Sequence, residues 1–121
     1  MRAVVLAIAL VLPACAATRT GPSKAQLGYL KTHPLTPDEE RRLYAREAQR
    51  GDSIDRVIVT FDGCQFERAS SDGDLVIWKV HVPIDERPIR LLTDKLEEIA
   101  AGGAAMLTFK GDKLERALVL E

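Results

Sequence analysis

The chain has no apolar run long enough to cross a bilayer, no excess of either charge, and almost no cysteine. A membrane-spanning helix needs roughly 20 consecutive apolar residues, and the stretch from Ala3 to Leu12 is far shorter. The chain's 17 basic residues stand against 18 acidic ones. That near balance gives no footing for nucleic acid or a strongly anionic surface, which are met by clustered Lys and Arg. With two Cys and two His in 121 residues, there is no evident nucleophile with its base and no spaced set of metal ligands. No residue is therefore assigned a catalytic, cofactor-binding or metal-binding role. The chain reads as a non-enzyme without cofactor and without a nucleic-acid partner.

What is present begins with an address. Arg2 supplies a positive start and the short apolar run follows it, the pattern of an export signal rather than a lasting anchor. Leu12-Pro13-Ala14-Cys15 then resembles the lipobox of bacterial lipoproteins, where lipid is joined to the Cys thiol and the chain is cut just before it. Ala14-Cys15-Ala16 also satisfies the small-x-small rule for an ordinary export cut, but a Cys at this place favours the lipoprotein. The resemblance implies a signal peptide over 1–14 and a lipid on Cys15 that holds the protein to a membrane. Ala16, where Asp would favour retention at the inner membrane, implies a periplasm-facing position on the bacterial outer membrane. Cleavage removes Arg2 and moves the net charge to about −2, so attachment rests on lipid rather than charge. With Cys15 lipidated, Cys64 has no internal disulfide partner even in an oxidising compartment. It is expected as a small buried hydrophobe, or else as a thiol for an intermolecular bond.

From Ala16 to about Leu35 the sequence is Thr, Gly, Pro, Ser and Lys with scattered apolar groups, so 15–35 is expected to be the lipidated Cys and its tether, and 36–121 a single domain. Thr36-Pro37-Asp38-Glu39 places a capping hydroxyl before Pro with Glu three residues on, which predicts a helix over 37–50 closed by Gly51. Between Asp52 and Phe61, β-branched Val57, Ile58, Val59 and Thr60 favour a strand. Ile54, Val57, Ile58 and Phe61 nonetheless fall on one helical face, and a short second helix is preferred. Beyond Asp62-Gly63 the period becomes two. Phe66 lies in a strand, Ser71-Asp72-Gly73-Asp74 turns, and Val76, Trp78, Val80 and Val82 alternate with Ile77, Lys79 and His81, with Trp78 expected at the centre of the core. Ile89, Leu92, Leu96 and Ile99 keep helical spacing before Gly102-Gly103 and predict a third helix over 88–101. Met106–Phe109 and Leu114–Leu120 form a last hairpin about Lys110-Gly111-Asp112-Lys113. The expected fold class is α+β, two-layer, with short helices packed on one face of a small antiparallel sheet.

Three features could suggest chemistry, and each has a plainer explanation. Cys64 and His81 could meet in the sheet, but nothing around Cys64 promises a lowered pKa. Asp72-Gly73-Asp74 lacks the further oxygens of a calcium loop and has what a hairpin turn requires. Arg50-Gly51-Asp52 spells an adhesion tripeptide, yet each residue has a local role between one helix and the next cap.

In order, these elements resemble the small outer-membrane lipoprotein family of SmpA/OmlA (BamE-like) type. The likeness rests on Gly51-Asp52-Ser53-Ile54-Asp55-Arg56-Val57, on Phe61-Asp62-Gly63-Cys64 at the end of that helix, on Trp78, and on Leu107-Thr108-Phe109-Lys110-Gly111-Asp112-Lys113-Leu114. It covers about 38–82 and 104–120. Asp52 stands where the family often has Met, Cys64 replaces a Pro, and 84–103 form an insertion. The resemblance implies a non-catalytic accessory near β-barrel assembly, acting on an envelope protein partner. A second expectation is a periplasmic inhibitor of a cell-wall or envelope enzyme, or a small-ligand-binding lipoprotein. An exposed loop, best sought at Pro83–Arg90, would favour it. The oligomeric state is left open.

Overall fold

The computed structural model describes residues 22–120. The leader and Cys15, on which the expected lipid falls, lie outside the described residues. The fold is a small α+β arrangement of short helices with mainly antiparallel sheet.

The stretch expected as a tether contains helix α1, Lys24–Thr32. Ser23 and Gln26 form a reciprocal cap, each side chain meeting the other's backbone N–H. The Gln26 amide then donates to the carbonyls of Leu43, Val59 and Thr60, so a buried polar group docks this helix. Hydrophobic periodicity carries no trace of such an anchor.

Helix α2, Pro37–Tyr44, starts on the expected Thr36/Glu39 capping box. It stops well short of residue 50, because Arg46 takes φ 57° and Glu47–Gln49 form a strand, β1. Strand β1 runs parallel to strand β4, Ile89–Leu92, with Ala48 opposite Leu91. This distant partner overrides the helical propensity of the local sequence. Gly51 does adopt the left-handed conformation, φ 95°, but after a strand.

Helix α3, Ile54–Thr60, is capped by Ser53, as the apolar spacing predicts. Val57 and Phe61 are buried beneath it, while Ile58 turns to solvent. Strands β2 (Gln65–Asp72) and β3 (Leu75–His81) form the expected hairpin. Trp78 is only half-buried at the margin of the core, whereas Val80 and Leu107 are fully enclosed. Its indole Nε1 is sequestered without a hydrogen-bond partner.

The helix expected over 88–101 is a second hairpin, β4 (Ile89–Leu92) and β5 (Leu96–Ile99), with Ile89 opposite Ile99. Leu92 and Leu96, half of the helical stripe, are exposed, while Leu91, which that stripe omits, is buried. Pairing of β4 with both β1 and β5 makes the period two decisive. Strands β6 (Ala104–Lys110) and β7 (Lys113–Leu120) close the chain as predicted.

The strands form two sheets, ordered β1-β4-β5 and β2-β3-β6-β7. One core joins them: Ala48, Ile89 and Leu91 from the first sheet, Val57 and Phe61 from α3, and Val80, Leu107 and Phe109 from the second.

Candidate interaction site

Between β3 and β4 the chain leaves the sheets as a loop, Val82–Pro88, and that loop is fixed at both ends. Val82 is buried, donates its amide to Gly103 O at 2.9 Å, and accepts from Gly102 N–H at 2.7 Å. The Glu86 amide closes a turn on Pro83 O at 3.1 Å, and the Arg87 guanidinium donates to Tyr44 O at 3.4 Å, at the end of α2. Between these ties Ile84 is 81% exposed.

Beneath the loop lies Arg46, a cation with 1% of its surface accessible. Its Nη1 donates to Asp62 O at 2.8 Å, its Nη2 donates to Cys64 Sγ at 3.4 Å, and the same nitrogen lies 3.8 Å from Glu86 Oε1. Its main-chain oxygen accepts the Arg90 amide at 2.8 Å. One residue thus ties the end of α2, the end of α3, the loop and β4 together. A buried guanidinium is tolerated only when its charge and its donors are met, and Glu86 and the Asp62 carbonyl do most of that, although Nε has no partner. Gly63 completes the fit. A Cβ there would stand 2.7 Å from Glu86 Oε2, so the carboxylate reaches Arg46 only because residue 63 lacks a side chain. Its φ of 97° asks for glycine as well.

Cys64 is a half-buried free thiol. Burial pushes its pKa up; the Arg46 charge pulls the other way, while Glu86 and Asp62 push with the burial. The thiol is thus protonated near neutral pH and a weak nucleophile. His81 pairs in register with Gln65, next to Cys64 in sequence, but the Cys64 sulfur accepts its hydrogen bond from Arg46. His33 caps α1 and stacks on Tyr29. Asp72-Gly73-Asp74 is the β2–β3 turn, with Gly73 at φ 65°. In Arg50-Gly51-Asp52 every residue is engaged within the fold, two of them by strand β7 rather than by the local roles expected from the sequence. Arg50 Nε donates to Glu115 O, Gly51 N–H to Leu114 O, and Asp52 Oδ2 accepts from Gln49 N–H and Arg42.

Sequence reading placed an exposed loop at Pro83–Arg90, and 83–88 bear it out, while Ile89 and Arg90 belong to β4. It did not find Arg46, whose role depends on a positive φ and on partners from three other segments. Among the described residues no cluster of His, Cys, Asp and Glu could hold a metal ion, and no helix is long and apolar enough to cross a membrane. No family model, curated protein or solved structure matches the chain.

Proposed function

We propose that this is a non-catalytic, lipid-anchored envelope protein that works as an interaction or scaffold module, with the Val82–Pro88 loop as its docking element. The observation that carries the reading is Ile84, an aliphatic side chain held out to solvent on a loop tied down at Val82, Glu86 and Arg87. A lone exposed apolar residue means little on a mobile loop. On a pinned loop it presents an apolar anchor whose ordering entropy is already spent, which favours binding. The Leu12-Pro13-Ala14-Cys15 motif supports attachment to the outer membrane with the domain facing the periplasm. The resemblance to SmpA/OmlA-type lipoproteins supports a partner in outer-membrane protein assembly or envelope integrity.

A second reading, an inhibitor of a cell-wall or envelope enzyme, is favoured by the same loop, because inserting a rigid apolar tip into a cleft is one way to block it. In-cell crosslinking and capture of the tagged full chain, beside Cys15→Ala and Ile84→Asp, tests both. Recovery of barrel-assembly components that is lost in both variants supports the scaffold reading. Recovery of a cell-wall enzyme moves the reading to the inhibitor, and capture indifferent to Ile84→Asp removes the loop from either.

A further inference from the structure

Strand β7 ends the four-stranded sheet, so one of its sides has no strand beside it. The first half of that side is occupied. Leu114 donates to Asp52 O and accepts from Gly51 N–H, both at 2.8 Å, Ser53 bridges to Lys113, and Arg50 holds Glu115 O. Among the described residues those bonds stop at Glu115, and Arg116–Leu120 is left as an open edge. The opposite edge of the sheet, β2, is broken by an irregularity between Arg68 and Ser70 and is mostly polar, two ordinary ways of discouraging strand addition. Strand β7 carries its own irregularity at Glu115, opposite Thr108 and Phe109, but the run beyond it pairs regularly and is mostly apolar. That run contains no Pro, its one charge is Arg116, and Leu118 is 63% exposed beside Met106 on the outer face of the sheet.

We propose that the occupant of this edge is a second copy of the same chain, paired β7 to β7 in antiparallel fashion about a two-fold axis at Leu118. A partner here must be an extended strand about as long as the open run. It must be apolar on alternate residues and must place no cation opposite Arg116. Arg116–Leu120 itself meets each condition. With Leu118 opposite Leu118 of the second copy, Ala117 faces Val119 and Arg116 faces Leu120. The two guanidiniums are then four residues apart along the strands, about 13 Å, which avoids the directly opposed like charges that weaken sheet pairs. Leu118, Leu120 and Met106 of both copies form one apolar stripe, and the two four-stranded sheets become a single one of eight strands. A register shifted toward the start of β7 brings a copy's Lys113–Glu115 segment, already bonded by Arg50–Ser53, into the joint, and one shifted toward its end pairs fewer residues of the open run. This surface is separate from the Val82–Pro88 loop and does not depend on the anchored-module reading.

The test is disulfide trapping in cells expressing the full chain. A residue on the two-fold axis lies opposite its own copy at cross-strand distance, close enough for a disulfide. Leu118→Cys should give a dominant dimer band under mild oxidation. Leu75→Cys, also exposed on this sheet but distant from the β7 edge, should not exceed the parent chain, whose native thiols set the background. A Leu118→Cys chain that stays monomeric, or equal trapping at Leu75→Cys, overturns the proposal. Light scattering of the full chain in detergent gives an independent reading. The parent should have twice the protein mass of Leu118→Lys, with matching thermal melts showing that the substitution leaves the fold intact. A monomeric parent overturns the dimer.

Discussion

The two halves of the molecule are held together by different physics. In the C-terminal half, α3 and the β2-β3-β6-β7 sheet enclose fully buried aliphatic and aromatic side chains such as Phe61, Leu107 and Phe109. In the N-terminal half, α1, α2 and β1 are fastened by long polar side chains. Gln26 reaches three carbonyls, Arg42 meets Asp52 at 3.3 Å, Arg46 joins four segments, and Arg56 donates to Glu39 O at 3.2 Å while lying 3.7 Å from its carboxylate. Burial of apolar surface is non-directional and shared among many contacts. A buried guanidinium is directional and depends on a few atoms. The first half should therefore tolerate loss of one partner by partial relaxation, and the second should fail at named bonds.

The largest effect is expected in the apolar half, because a ring leaves the widest gap. Phe61→Ala should destabilise the protein by about 3–5 kcal/mol, from lost transfer energy plus an unfilled cavity, read from urea unfolding monitored by circular dichroism. Phe61→Leu should recover most of it. Equal losses for the two variants would mean that the contact is specific, and the contrast between the halves would weaken.

Arg46→Ala should follow closely, at about 3 kcal/mol, since it takes the guanidinium away from Glu86, the Asp62 carbonyl and Cys64 and leaves a gap within the fold. Its backbone offers an internal control. Arg46 sits at φ 57°, a region that disfavours side chains by about 1 kcal/mol or more. Arg46→Gly should therefore be more stable than Arg46→Ala by about that amount, although both lack the guanidinium. If the two unfold at the same denaturant concentration, the strain assigned to residue 46 is absent. Proteolysis should cut both variants first within 82–88, the loop that Arg46 holds through Glu86.

The same division explains what was legible in the sequence. Alternation from Val76 to Val82, the Asp72-Gly73-Asp74 turn and the Lys110-Gly111-Asp112 turn are local signals, and the hairpins they predict are present. The helical face of Ile54, Val57 and Phe61 correctly outweighed the β-branched run at 57–60, because Ser53 supplied a cap and Asp55 and Arg56 could lie off that face. Segment 88–101 misled because its leucines satisfy a helical count by accident. Only the parallel strand β1, some 40 residues away, makes Leu91 the residue to bury. Gln26 and Arg46 look in sequence like ordinary surface residues. Their importance lies in which carbonyls end up within reach, and that belongs to the assembled fold. Ile84 stood inside a segment already marked as a loop, but nothing local told that the loop would be tied down by Glu86 and Arg87.

Gln26→Ala should sharpen the comparison at a single element. Leu43 O and Val59 O keep the N–H groups of Arg46 and Asp62, so the lost amide is felt most at Thr60 O, and a loss of about 1 kcal/mol is expected. The effect should be concentrated in α1. Hydrogen exchange should speed for amides of 24–32 and leave β3 and β6 unchanged. Uniform acceleration across the sheet would show that α1 is a cooperative part of the core and not a separately fastened element. Thr36→Ala, which removes the cap of α2, should cost about 1 kcal/mol and serves as the local standard against which the Gln26 effect is judged.

The smallest effect tests whether Cys64 belongs to the polar half or to the core. Burial holds its thiol pKa above the ordinary 9.0, so the folded state keeps the proton after the unfolded chain has released it. The sign follows from proton counting: above about pH 9 the unfolded state binds fewer protons, so stability falls as pH rises until the folded thiol also ionises. Below that pH both states are protonated and Cys64 contributes no slope. Tyr44 is also raised, by burial and by the adjacent Glu40, and adds a fall in the same direction. Cys64→Ala should retain the tyrosine part and lose the thiol part, giving a shallower decline between about pH 9 and 10.5 in chemical denaturation. A thiol governed by the Arg46 charge would make the substitution steepen the decline, whereas an unchanged slope would mean that water reaches Sγ freely enough to leave its pKa unshifted. The loop above it would then be less tightly seated than the Glu86 and Gly63 geometry indicates.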